Sequence, residues 1–242
     1  MATEGPAKLK HGKTKAHDYD AETDTAPSVD RWVAHVKEEY GDSDEATLKR
    51  AYAEIIVKEY ADRYGAKIDG WWFDHAAFGD MNLLREVCRE ANPECVLTFN
   101  KGTLPSCSNE NPGYEDYVCG HPNPCRLVPP SDEANLQMVE AAERSRGGFV
   151  YADDRDGASR PSLCHLFMPM CKMWCVGDTV VWTEERAVEW MSRVLNAGGA
   201  WTWNVPLDDD RSMLHENAVE FAVKVGLRLL EAQSERKTRA KE

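Results

Sequence analysis

The chain has no apolar run close to the roughly 18 residues that span a bilayer, so no segment reads as a transmembrane helix. Residues 1–30 are polar throughout and hold no apolar h-region, so no secretion signal is legible as written. Basic residues are in deficit: Lys plus Arg number 29 against 42 for Asp plus Glu, a formal charge of -13. An acidic surface of this size repels phosphate, which argues against nucleic-acid wrapping and against binding to an anionic membrane. No Cys-x-x-Cys pair occurs among the eight cysteines, Cys88, Cys95, Cys107, Cys119, Cys125, Cys164, Cys171 and Cys175. Structural zinc draws its ligands from close pairs, so a zinc module is disfavoured. The cysteines read instead as reduced thiols, several of them buried as small apolar side chains. There is no internal repeat.

What remains is 242 residues with 42% hydrophobic content, enough for one large domain or two small ones. Residues 1–27 read as a disordered polar tail, basic from Lys8 to Lys15 and acidic from Asp18 to Asp24. The folded part spans residues 28–231. Its first helix carries Trp32, Val33, Val36 and Tyr40 on one face. A second starts near Asp44, with Leu48, Tyr52, Ile55, Ile56 and Tyr60 in register and Gly65 placed to end it.

An aromatic strand at 67–74 follows, then a helix at 82–91, a strand at 95–99 and a long loop at 100–130. The spacing next predicts a helix at 131–146 closed by Gly147-Gly148, a strand at 149–151 and an apolar strand at 163–170. Thr183 caps a helix that stops at Gly198-Gly199, a strand covers 200–205, and a last helix runs to Glu231 ahead of a charged tail at 232–242. Alternating strands and helices predict an α/β fold with parallel strands. Chemistry in such folds collects at the carboxyl ends of strands. That rule selects Asp74, Asn100, Asp153 or Asp154, the surroundings of His165, and Asn204.

Asp74 ends the aromatic strand and has two readings. Its carboxylate either attacks the anomeric carbon of a sugar packed on an aromatic wall, or caps the helix that follows. Strand alternation sends Trp71 and Trp72 to opposite faces, so only one of them lines a pocket with Asp74. His165 either bonds a sugar hydroxyl or is satisfied by a backbone carbonyl. Trp174, Trp201 and Trp203 are either stacking platforms or core, and Trp201 and Trp203 share a face opposite Thr202 and Asn204. Cys164, His165, Cys171 and Cys175 do not converge as metal ligands on a strand, and Asp208-Asp209-Asp210 lacks calcium-loop spacing. No metal site follows from the pattern.

The stretch Tyr64-Gly-Ala-Lys-Ile-Asp-Gly-Trp-Trp-Phe-Asp74 resembles the fourth-strand motif of the α-L-fucosidases of glycoside hydrolase family 29, roughly Tyr-Gly, a spacer, then Asp-Gly-x-Trp-Phe-Asp. Asn92-Pro93 through Asn100, Glu115-Asp116-Tyr117, His165 through Trp174, and Gly198-Gly199 through Pro206 are similar to later parts of the same family, so the resemblance covers about residues 45–231. It implies a retaining glycosidase for fucosides or related sugars, with Asp74 as nucleophile and no metal or organic cofactor.

The family's acid is commonly a Glu five residues past the Asp of the fifth-strand loop. Counting from Asp116 gives His121, with Glu115, Glu110 and Glu133 as alternatives. Trp72, His75, Asn100, His165, Trp174 and Asn204 would surround the sugar. The implied fold is a partial (β/α)8 TIM-barrel-like arrangement of about five parallel strands, lacking the three that precede the nucleophile strand. The open sheet edge would be covered by a second copy or another chain. Family relatives are commonly secreted or lysosomal. Two further readings stand beside the enzyme: a carbohydrate-binding remnant without catalysis, and a redox or metal protein built on the cysteines.

Overall fold

The computed structural model describes residues 2–4, 26–74, 79–100, 111–122, 133–153, 158–171, 179–208 and 213–239. They belong to two compact units, Met1–Gly102 with Tyr114–Asp116, and Thr103–Gly113 with Tyr117–Glu242.

In the first unit, helix α1 (Ala26–Tyr40) buries Val36 against Leu48 and Ala51 of α2 (Glu45–Ala51). Gly41 follows α1 at φ 79, with its N–H bonded to the Lys37 carbonyl at 3.0 Å. Asp44 starts α2 by accepting from the Thr47 N–H at 2.8 Å, which satisfies one of the donors a helix start leaves open. The helix runs on through a π-helical turn (Tyr52–Val57) into α3 (Lys58–Tyr64), ended by Gly65 at φ 49.

Strands β2 (Gly70–Asp74) and β3 (Val96–Phe99) pair in parallel and are joined by α4 (Met81–Ala91), so the predicted strand–helix–strand unit is present. Alternation buries Trp71, Phe73, Leu97 and Phe99 on one face with Leu84, Val87 and Cys88 of α4. Trp71 stacks on Phe73 at 5.8 Å between centroids, and Phe73 on Phe99 at 5.3 Å. These rings alternate with Trp72 and Asp74, which therefore share the other face. Ala2–Glu4 forms a short strand β1, parallel to β2, inside the stretch read as a tail. Arg89 grips Asp116 through both carboxylate oxygens at 2.8 and 2.9 Å, while Asp116 accepts the Leu97 N–H at 2.9 Å and so fixes residues 114–116 beside β3.

In the second unit, α5 (Glu133–Glu143) precedes strands β4 (Phe149–Asp153) and β5 (Ser159–Leu163), which pair antiparallel. Parallel strands were expected here. The five residues between them are too few for the crossover that a parallel pair requires. Pro161 weakens the sequence signal of β5. Residues 163–170 are not one strand either. Cys164 separates β5 from β6 (His165–Pro169), its N–H bonding the Gly148 carbonyl at 2.6 Å and its carbonyl the Ala200 N–H at 2.8 Å.

Helix α6 (Glu184–Asn196), capped by Thr183 as predicted, connects β6 to the parallel β7 (Ala200–Asn204). Helix α7 (Glu216–Arg239) buries Ala218, Phe221, Val225 and Leu229 in this unit's core. It continues to Arg239 through the stretch read as a charged tail, whose Ala, Gln, Glu, Arg and Lys residues are good helix formers.

The described strands thus form three small sheets, a parallel group of three, an antiparallel pair and a parallel pair. The α/β class and two strand–helix–strand units agree with the sequence reading. Among the described residues the strands do not join into one sheet of about five parallel strands, and Phe149–Asp153 pairs antiparallel with Ser159–Leu163. No helix among the described residues is long and apolar enough to cross a membrane. Cys88 and Cys95 are buried free thiols, and burial raises both pKa values.

Candidate active site

Asp74 is the last residue of β2, at its carboxyl end, and is half-buried. The helix-cap reading fails for it. Asp80 is the cap of α4, its Oδ1 accepting the N–H groups of Asn82 at 3.0 Å and Leu83 at 3.2 Å. Asp74 Oδ1 instead accepts a hydrogen bond from Asn100 Nδ2 at 2.7 Å. Asn100 follows β3 directly, is 2% exposed, and its backbone N–H bonds the Phe73 carbonyl at 2.9 Å. The two carboxyl-terminal ends of neighbouring parallel strands thus bring together two residues 26 apart in sequence.

Of the tryptophan pair, Trp71 is core at 1% exposed, and Trp72 is the one on the Asp74 face. Glu115 lies in the same unit and is 5% exposed. Asp116 beside it is held by Arg89, so the backbone carrying Glu115 is tied to β3. His75 falls outside the described residues.

In the second unit, His165 is 6% exposed at the start of β6. Its Nδ1 lies 3.1 Å from the Val118 carbonyl, and its Nε2 2.9 Å from Thr202 Oγ1. A carbonyl only accepts, so Nδ1 carries the proton and donates. Nε2 of the neutral ring accepts the Thr202 hydroxyl proton. Tyr117 packs edge-on to the ring at 5.3 Å. The carbonyl partner foreseen for a structural histidine is therefore present, and Thr202 is a partner that sequence did not single out. Its signal was the alternation that puts it on one face with Asn204.

Burial pushes the His165 pKa below its ordinary value, and the Val118 and Cys119 carbonyls offset this only in part. The folded chain then holds His165 neutral at a pH where the unfolded chain has begun to protonate it. The unfolded state binds more protons below about pH 6.5. Stability should fall as pH drops below that point, with a slope from this residue of at most about 1.4 kcal/mol per pH unit. Urea titrations from pH 7 to 5 should show a shallower loss in His165→Gln than in wild type. Parallel curves would contradict this account of His165.

His121 Nδ1 donates to the Pro122 carbonyl at 2.8 Å. Asn204 ends β7 half-buried, and its carbonyl accepts the Met170 N–H at 3.1 Å. Trp201 and Trp203 are not stacking platforms. They pack edge-on against Trp182 at 6.0 and 5.1 Å, and Trp203 against Phe221 of α7 at 6.2 Å. Thr202 and Asn204 consequently face away from that core. Trp174, Glu110 and Cys175 lie outside the described residues, and no group of three metal-ligating side chains occurs among the described ones.

No protein-family model matches the chain, that of family 29 included, and no curated protein does. Among solved structures the likeness is to glycoside hydrolases of family 107. A form of the endo-fucoidan hydrolase MfFcnA4 with a histidine-to-glutamine replacement matches at TM-score 0.61 and 25% identity, over 74% of this chain and 30% of that one. MfFcnA4 itself matches at TM-score 0.66 and 22% identity, over 88% and 36%. The endo-fucoidan hydrolase MfFcnA9 matches at 0.64 and 22%, over 81% and 41%. The chain spans 30 to 41% of the length of these three structures, and the fold likeness points to family 107 where the strand motif pointed to family 29.

Proposed function

We propose that this chain carries the catalytic residues of a retaining glycoside hydrolase acting on α-L-fucosyl linkages. The observation that carries the reading is Asp74. It is a half-buried carboxylate at the carboxyl end of a parallel strand, bonded by Asn100 and sharing a face with Trp72, in a chain whose fold resembles enzymes named as hydrolases of a fucose polymer. In this mechanism an Asp74 oxygen attacks the anomeric carbon while the bond to the leaving oxygen breaks. An acid gives that oxygen its proton. Water then attacks the glycosyl ester, the same acid group takes the water's proton, and the sugar departs with its original anomeric configuration.

Glu115 is the acid to test first, because it is buried in the unit that carries Asp74, and an acid of this kind is commonly tuned by burial. Trp72, on the Asp74 face of β2, offers an apolar surface for the sugar ring. With a charge of -13, repulsion disfavours densely sulfated polymers, so lightly sulfated or neutral fucosides are the proposed substrates.

The test is incubation with an aryl α-L-fucoside and with fucan oligosaccharides, following products by proton NMR. Release of α-fucose as the first-formed anomer is the expected result. Release of the β anomer would overturn the retaining mechanism. Fucose-induced thermal stabilisation with no turnover would favour the carbohydrate-binding remnant.

A further inference from the structure

Asn100, expected among the residues that bind the sugar, contacts Asp74 directly. We propose that Asn100 is a positioning residue that holds the Asp74 carboxylate in one rotamer for in-line attack. The inference rests on the reading of Asp74 as nucleophile. Its basis is geometric. Asn100 Nδ2 lies 2.7 Å from Asp74 Oδ1, a short and therefore strong contact for an amide donor and a carboxylate.

The donor cannot wander. Asn100 is 2% exposed, and its backbone N–H is fixed to the Phe73 carbonyl, in the residue preceding Asp74. The same two strand ends therefore set donor and acceptor. Their spacing is braced by Phe73 and Phe99, the residues immediately before Asp74 and Asn100, whose rings stack at 5.3 Å. An aspartate at a strand end has freedom about χ1 and χ2. A nucleophile gains from losing that freedom before substrate arrives, because the near-attack geometry then costs less to reach. An amide donor suits the task better than an acid or a cation. It bonds one oxygen without proton transfer and adds no net charge beside the nucleophile.

Asn100→Ala should lower kcat roughly 10- to 100-fold with KM within about twofold, the pattern of lost alignment rather than lost substrate binding. Asn100→Leu, close in size, uncharged and without the donor, should show the same split, and it keeps the test available if the alanine variant does not fold. In an Asp74→Gly background with azide as external nucleophile, adding Asn100→Ala should change the rate less than twofold, because no carboxylate remains to be held.

A readout independent of turnover is the Asn100 side-chain amide resonance, which should shift upfield in Asp74→Ala. Loss of rate in Asn100→Ala that persists in the azide-rescued background would overturn the positioning role. So would an unaltered kcat, or an amide signal indifferent to Asp74. Inert wild type with the amide shift intact would instead sink the glycosidase reading while supporting the pairing.

Discussion

Asp74→Asn should remove turnover of an aryl α-L-fucoside by roughly 10^3-fold or more, about 4 kcal/mol of transition-state stabilisation. The substitution keeps the side chain's shape. It also keeps an oxygen that can accept from Asn100 Nδ2, so the contact at 2.7 Å has a direct replacement. What it removes is the charge and the nucleophilic lone pair, and an amide oxygen does not form the glycosyl ester. The melting temperature should therefore move by only a few degrees. A variant that keeps more than a tenth of the wild-type rate, as purified and with its sequence verified, would show that the chemistry is elsewhere.

A large stability effect should come from Gly120→Ala. Gly120 has φ 63, a conformation that costs an L-residue about 1–2 kcal/mol. Space is the greater obstacle. A β-carbon there would lie 2.0 Å from the His165 carbonyl oxygen and 2.7 Å from its carbonyl carbon. Both atoms are backbone at the start of β6, and Gly120 is itself bonded there through its carbonyl to the Phe167 N–H at 2.9 Å. Relief requires separating that contact, so the loss should be about 3 kcal/mol or more, on the order of 10 °C in melting temperature.

Gly41→Ala is the control. Its φ is 79, but nothing lies within 4 Å of the added carbon, so only the conformational term of about 1 kcal/mol applies. Equal losses in the two variants would contradict the close approach at Gly120.

Much of the scaffold was legible because its causes are local. The alternation in Trp71-Trp72-Phe73, the helix start near Asp44 and the cap at Thr183 are read from neighbours in sequence, and each is found. Elements set by distant partners were harder. Residues 159–163 carry Ser, Arg and Pro, and they become a strand only because Phe149–Asp153 offers an antiparallel partner. Residues 163–170 looked continuous because the break at Cys164 comes from bonds to Gly148 and Ala200.

The site shows the same division. Asp74 was visible as a carboxylate at a strand end, and strand ends also selected Asn100. That the two are bonded depends on the register of β2 against β3, which no local pattern encodes. The helix-cap alternative for Asp74 was decided by Asp80, six residues on, where the helix begins. Trp201 and Trp203 left two options open until Trp182 and Phe221 were seen packed on them. The strand motif resembles family 29 α-L-fucosidases, whereas the fold likeness is to endo-fucoidan hydrolases of family 107. A short strand motif reports the chemistry at one position, whereas fold comparison reports the arrangement of all elements.

The central claim is that Asp74 forms a covalent bond to the sugar. The most direct measurement is inactivation by a 2-deoxy-2-fluoro-fucosyl fluoride, followed by intact mass and peptide mapping of the trapped protein. The fluorine slows breakdown of the glycosyl ester, so the adduct accumulates. One fluorosugar per chain, on the peptide containing Asp74 and absent from Asp74→Asn, is the predicted result. A stoichiometric adduct on any other residue, or one that forms equally in Asp74→Asn, would contradict it.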